Sequence, residues 1–277
     1  MEQWSCGAPL DPRLRVTINF HPDLLINDEL LIQKLVRDRS YQSQFLTGIS
    51  NGGLTAFRGG DRWNWESRIF DTAYDAAPDA LRPKYGALNY ERRGTGASPR
   101  FGSCHLRLAE HTLDRCTFCY PDSHLEPSDF GTKDRMNLIE KAKDNVGNLD
   151  VLDNYVEAHV HGPVSLNDDI EAVVLDPTFK GTQIEDAADQ LGVPVEWHAG
   201  YRLPRELVDK AVAYRGPEIA NYIRTTFGDK DLVPADLIPK RQAADDFATL
   251  KKVWHCIAKF GDPDAFAKSE RAEEKLP

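Results

Sequence analysis

Asn154-Tyr155-Val156-Glu157-Ala158-His159-Val160-His161-Gly162 is the stretch on which the fold turns. Tyr155, Val156 and Val160 favour extended backbone and Gly162-Pro163 punctuates the end, so it reads as a short β-strand. In an extended chain successive side chains alternate between faces. Tyr155, Glu157, His159 and His161 therefore share one face, and Val156, Ala158 and Val160 share the other. The second face is small and apolar and suits a core. The first carries a carboxylate between an aromatic ring and two imidazoles. A carboxylate on a rigid strand is well placed to stabilise a developing cation. An amphipathic strand whose polar face is merely solvated fits the same spacing, and periodicity alone leaves both readings standing.

The chain on either side is mixed. Residues 13–20 alternate as a first strand ending at His21-Pro22-Asp23, and residues 24–39 carry Leu31, Leu35 and Val36 at helical spacing. An aromatic-rich helix is predicted over 63–74, strands over 84–90, 100–108 and 116–120, and a polar loop over 121–133. A helix over 136–146 precedes the opening strand. A capped turn over 165–170 and a strand over 172–175 follow it. Beyond Phe179 the texture becomes helical, over 184–191, 204–213, 217–227 and 243–260, with a brief strand at 195–198. The charged residues 268–275 are expected to fray. The prediction is an α+β body over residues 1–180 closed by a helical C-terminal third, 181–277.

Composition narrows the partners. A net charge of −10 argues against a nucleic-acid backbone as the main ligand. No apolar run of about 18 residues is present, so no membrane span is expected. The N-terminus lacks the basic-then-apolar layout of a secretory signal, and delivery into another cell by a different signal stays open. Five cysteines, an odd number in a long chain, suggest a reducing compartment rather than a disulfide framework. Cys116-Thr117-Phe118-Cys119, with Cys104, His105 and His124 nearby, has no second Cys-x-x-Cys to complete a paired zinc site. Buried thiols are the expectation there, and no third ligand joins His159 and His161, so no metal is expected.

Two glycine-rich segments stand out, Gly48-Ile49-Ser50-Asn51-Gly52-Gly53 and Arg58-Gly59-Gly60-Asp61-Arg62. Glycine lets backbone approach a ligand closely and arginine binds phosphate, so they form a candidate diphosphate cradle. The spacing matches neither a P-loop nor a dinucleotide fingerprint. A pair of surface turns is the alternative.

Three patterns together resemble ADP-ribosyltransferases. Lys84-Tyr85-Gly86-Ala87-Leu88-Asn89, the strand at 100–108, and Leu113-Asp114-Arg115-Cys116-Thr117-Phe118 are similar to the "YG-strand-turn-R-x-T-F" run of several bacterial toxin-type transferases. Tyr155 through Leu166 resembles the "Y-x-E-A-Q-x-H-G-x-V-S-L" segment that closes their active sites. The third pattern is the strand end Asn19-Phe20-His21-Pro22-Asp23 with the glycine-rich loop at 50–62. In this order they resemble a family of unknown-function domains that includes the CteC-type bacterial effectors, which attach ADP-ribose to a threonine of ubiquitin. The resemblance covers residues 13–180.

The resemblance implies an ADP-ribosyltransferase-like split β-sandwich with flanking helices, whose cleft takes NAD⁺ as a substrate. It makes Glu157 the catalytic carboxylate, hydrogen-bonded to the 2′-hydroxyl of the nicotinamide ribose as nicotinamide leaves. It makes Arg58, Arg62 and Arg100 candidates for the diphosphate, Tyr85 a platform for nicotinamide and His21 an NAD⁺ contact, with Ser103 on a strand comparable to the family's Ser-Thr-Ser strand. His21, Tyr85 and Glu157 fit its His-Tyr-Glu class. Tyr155 stands where the arginine-modifying class has a second acidic residue, which turns the expectation toward a hydroxyl acceptor, a threonine or serine, with His159 as a candidate base. The expected activity is mono-ADP-ribosylation of a protein, with ubiquitin as one acceptor. NAD⁺ glycohydrolysis and a non-catalytic protein-binding module on a degenerate scaffold are the alternatives.

Overall fold

Val16–Phe20, buried along its whole length, forms the central strand β1. A computed structural model describes residues 2–48, 55–243 and 246–264. The glycine-rich residues 49–54, the start of the last expected helix at 244–245 and the charged C-terminal tail lie outside the described residues. The chain leaves β1 through a small hairpin of β2, Leu25–Ile26, and β3, Glu29–Leu30. Asn27 and Asp28 turn it with φ of 50° and 64°, the left-handed backbone that favours these residue types. This turn corrects the helix expected from residue 24: helix α1 spans only Leu31–Asp38.

Helices α2, Gln44–Thr47, and α3, Asp61–Ile69, precede β4, Lys84–Leu88, and β5, Cys104–Leu108. Next come β6, Cys116–Tyr120, and β7, Asp129–Thr132. The second of these was expected to be loop. It is a four-residue edge strand with Gly131 inside it, and its strand character comes from pairing with β6, not from its own sequence. Helix α4, Leu138–Asp144, leads to β8, Glu157–Val160, then α5, Leu166–Asp169, β9, Ile170–Leu175, α6, Gln183–Asp189, and β10, Val195–Trp197. The remaining helices are α7, Lys210–Arg215, α8, Pro217–Phe227, α9, Ile238–Gln242, and α10, Phe247–Phe260.

These strands make a mixed α+β fold on an eight-stranded sheet of order β10-β9-β5-β1-β4-β8-β6-β7, with β2 and β3 as a separate pair. Every pairing in the large sheet is antiparallel except β9 with β10. The β1–β4 ladder is the short one. It pairs Val16 with Leu88 and Thr17 with Ala87, whereas β1 with β5 and β4 with β8 pair over four positions each. Beyond Thr17 the two central strands part.

Two large apolar cores, and a small cluster of Trp65, Ile69, Cys119 and Phe130, hold the described residues together. The first packs the sheet against α1, α4 and α6 and includes Ile18, Leu106, Phe118, Ala158, Leu175 and Phe179. The second joins Leu152 and Tyr201 to the C-terminal helices. In α10 the buried Leu250, Val253, Trp254 and Ile257 follow the three-and-four spacing of one helix face. Trp254 Nε1 donates to Pro99 O at 2.9 Å, and a buried Arg241–Asp23 ion pair ties α9 to the end of β1. The five cysteines form no disulfide. Among the described residues no helix is long and apolar enough to cross a membrane.

Candidate functional site

Strand β8 lies between β4 and β6. Its register sets Glu157 beside Ala87 and Cys119, and His159 beside Tyr85 and Thr117. Val156, Ala158 and Val160 enter the main core, as the alternation requires. The opposite face is not a solvated one: Tyr155, Glu157 and His159 are 3%, 4% and 0% exposed. A carboxylate is rarely buried without partners, so its surroundings decide what it does.

Glu157 has several. His159 Nε2 lies 3.0 Å from Oε1, Ser123 Oγ donates to Oε2 at 3.0 Å, and the Ser123 backbone N–H approaches the same oxygen at 3.4 Å. Arg62 Nη1 donates to Ser123 Oγ at 2.7 Å, so the hydroxyl relays a guanidinium to the carboxylate. Burial by itself raises the Glu157 pKa. The hydrogen bond from His159, the charges of His159 and Arg62 and the bond from Ser123 outweigh it, and the group titrates below the ordinary carboxylate range. Asp122 goes the other way, raised by burial and then by the Glu157 charge, while it accepts a hydrogen bond from Tyr155 Oη. The two carboxyls are thereby driven apart, Glu157 downward and Asp122 upward from the ordinary carboxylate value.

Arg62 also lies over the Tyr85 ring, 4.0 Å from its centroid. Tyr85 Oη donates to Glu66 Oε1 at 2.8 Å, and Arg82 Nη1 donates to Glu66 Oε2 at 2.6 Å. Glu66 and Arg82 are both buried, which fixes the Tyr85 ring from behind. On the far side of Glu157, His159 Nδ1 lies 3.2 Å from Thr117 Oγ1, which lies 2.9 Å from His161 Nε2. His161 Nδ1 lies 2.6 Å from Tyr74 Oη. Burial, then the neighbouring His159 and Arg115, lowers the His161 pKa to about 4 and keeps that ring neutral.

Glu157, Arg62, Asp122 and Tyr85 line a cleft whose empty space, counted with its solvent-open part, is about 920 Å³. Leu24, Ile26, Leu31, Leu35, Tyr41 and Phe101 supply an apolar wall. Asn19 and Tyr85 line it where β1 and β4 have parted. Gly86 fits there because a Cβ would come within 2.7 Å of Thr17 O. Asn19 Nδ2 donates to Thr95 O at 2.9 Å and to Gly102 O at 3.2 Å, pinning the glycine-rich loop after β4 against the cleft.

The fold thus gathers Glu157, Arg62 and Tyr85 from the expected set. His21 and Arg100 sit in an adjoining hollow with Trp254 and Arg241, and Phe101 is common to both spaces. The His21 ring stands edge-on to Trp254 at 4.9 Å, and Arg100 ion-pairs with Asp153. Arg58 is exposed on the turn before α3 and does not line the cleft. Ser103 is fully buried elsewhere: its carbonyl accepts from His198 Nε2 at 2.8 Å. The half of the candidate diphosphate cradle at 49–54 lies outside the described residues.

Sequence reasoning missed Ser123, Asp122, Glu66 and Asn19. For Glu66 a signal existed. Arg62, Trp65, Glu66 and Ile69 occupy one helix face at i, i+3, i+4 and i+7, and all four are buried.

Comparison with known proteins gives one family match. The model of a family described as protein of unknown function (DUF3626) matches residues 15–144 and 139–260. No curated protein matches the chain.

Proposed function

We propose a function from the site itself, because the chain belongs to the DUF3626 family, whose description names no activity: it is an NAD⁺-dependent mono-ADP-ribosyltransferase acting on a hydroxyl of a protein. The observation that carries this reading is the Glu157 carboxylate, buried, kept ionised and open to the cleft. It stands on β8, next to the strand that bears Tyr85, which in turn neighbours β1 with His21 just past its end. These are the three residues of the His-Tyr-Glu fit. The parting of β1 from β4 supports the split-sandwich form of the fold.

In the proposed reaction the C1′–N bond of the nicotinamide ribose breaks, and its electron pair leaves with neutral nicotinamide. Positive charge develops on the ribose. Glu157 accepts a hydrogen bond from the 2′-hydroxyl and stabilises that charge, which is greater in the transition state than in bound NAD⁺. The apolar wall with Tyr41 and Phe101 shields the cation from water. Arg62, fixed by Ser123 and Tyr85, is the guanidinium offered to the negatively charged diphosphate of NAD⁺. The acceptor oxygen then bonds to C1′ and its proton passes to the Glu157–His159 pair. The products are the O-ADP-ribosyl protein, nicotinamide and a proton.

The test is incubation of the full chain with NAD⁺ and ubiquitin, read by intact mass and by nicotinamide release. A single ADP-ribosyl addition to ubiquitin supports the reading and its threonine acceptor. Nicotinamide release with no protein modified makes the chain a glycohydrolase. No NAD⁺ binding and no release together overturn the enzymatic reading and leave a binding module.

A further inference from the structure

The partners of Glu157 include one that the proposed reaction does not use. Cys119 Sγ lies 3.8 Å from Glu157 Oε1 and 3.7 Å from His159 Nε2, and the last two atoms are 3.0 Å apart. All three residues are buried, and their ligand-type atoms lie within 4.8 Å of one another. The arrangement belongs to the sheet rather than to loops. The β6–β8 register sets Cys119 opposite Glu157, and His159 follows two residues on along the same face.

A tetrahedral ion with bonds of about 2.0–2.3 Å holds its ligand atoms roughly 3.3–3.6 Å apart, close to the three separations here. A thiolate, an imidazole and a carboxylate together select zinc over the hard cations, which prefer oxygen alone. The outer contact such a histidine needs is also in place. Thr117 Oγ1 lies 3.2 Å from His159 Nδ1, which fixes the ring and directs Nε2 at the other two ligands. Cys116 takes no part: it belongs to the sheet's main core, and its thiol donates to Thr112 O at 3.1 Å. The site is therefore not half of a paired-cysteine knuckle. It uses one cysteine and two residues that the Cys-x-x-Cys spacing does not point to.

We propose that Cys119, Glu157 and His159 bind one Zn²⁺ ion, with its fourth position toward the cleft, and that the ion competes with NAD⁺ for the Glu157 carboxylate. On binding, the Cys119 S–H proton and the His159 Nε2 proton are lost to solvent, His159 keeps its other proton on Nδ1 facing Thr117 Oγ1, and metal bonds replace the hydrogen bonds among the three side chains. The thiolate and carboxylate balance the charge of the ion. Zinc is then an off-switch: a carboxylate coordinated through Oε1 no longer meets a ribose hydroxyl with full charge. The competition rests on the transferase reading; the binding site does not.

The experiment titrates the full chain, stripped of metal with a chelator, first with Co²⁺ and then with Zn²⁺, in the absence of NAD⁺. The expected result is one equivalent of Co²⁺ giving a thiolate-to-cobalt charge-transfer band, displaced by one equivalent of Zn²⁺. Cys119→Ser should abolish the band, and His159→Gln should weaken Zn²⁺ binding by about 10–100-fold or more. Cys116→Ser should keep both. A folded wild type that takes up Co²⁺ without a thiolate band, or takes up none, overturns the site. Zn²⁺ is then added to wild type with NAD⁺ while nicotinamide release is followed. Inhibition at the affinity found in the titration supports the switch. Release that ignores bound Zn²⁺ overturns the switch and leaves the site. A complete lack of release at zero metal counts against the transferase reading alone.

Discussion

Glu157 Oε1 lies 3.0 Å from His159 Nε2, with both side chains buried on one face of β8. Burial would raise the carboxyl, but the hydrogen bond and charge of this imidazole, the Arg62 charge and the Ser123 bond together outweigh it, so Glu157 stays charged. Glu157→Gln preserves shape and removes only the charge. Nicotinamide release should fall by about 10²–10³-fold, the usual cost of one transition-state electrostatic contact. NAD⁺ affinity by calorimetry should change only a few-fold. Unchanged release in a folded Gln variant would remove Glu157 from the chemistry.

Arg62 reaches Ser123 with one guanidinium nitrogen while its plane covers Tyr85. An ammonium cannot do both, because it lacks the flat fork. Arg62→Lys should therefore behave nearly as badly as Arg62→Ala. Each should destabilise the chain by about 1–3 kcal/mol, the cost of leaving a buried polar group such as Ser123 Oγ poorly paired. Each should also raise the apparent pKa of Glu157 in a pH–rate profile. Full rescue by lysine would show that charge alone, and not the fork, is what the site needs.

What was legible in the chain was local. The alternation of residues 154–162 is set by backbone geometry alone, and it named both the core-facing and the site-facing side chains of β8. The hairpin at Asn27-Asp28 sits just ahead of Leu31, Leu35 and Val36, whose helical spacing does not show where the helix begins. Arg58 and Arg62 looked alike, since each follows or precedes glycine-rich sequence. Only the packing of α3 separates the exposed one from the buried one. Ser123 reaches Glu157 across 34 residues of chain, and no spacing rule connects them. The metal-type tripod was invisible for the same reason: it needs the register of two strands, and sequence supplies only their separate periodicities.

Glu66 and Arg82 are a buried pair that holds Tyr85. Removing one partner strands a charge in the core, so Arg82→Met should cost about 3–5 kcal/mol in urea unfolding. In the double variant Glu66→Leu with Arg82→Met no charge is stranded, and the main loss is the Tyr85 hydroxyl bond, about 1–3 kcal/mol. The double should therefore be more stable than Arg82→Met alone. Strict additivity of the two single costs would contradict the coupling.

Acid should weaken the fold from about pH 6.5, the ordinary value of histidine, downward. Burial lowers four histidines below their ordinary value of 6.5: His161 to about 4, His105 and His255 to about 3, and His21 well below. After burial, the neighbouring charges or rings lower each further, Arg241 and His255 in the case of His21 and His198 in the case of His105. As pH drops through 6.5 the unfolded chain takes up these protons and the folded chain does not. Stability is then lost from pH 6.5 down to about 4 for His161 and about 3 for His105 and His255, because the unfolded state binds more protons there. Glu66, Asp122 and Asp262, raised by burial, act in the opposite direction and blunt the loss. The urea midpoint should fall steadily over that window. His161→Gln and His105→Gln should each flatten the slope, even where they lower stability at neutral pH. A midpoint that is level from pH 7 to 4.5 in the wild type would mean that these rings are not neutral in the fold.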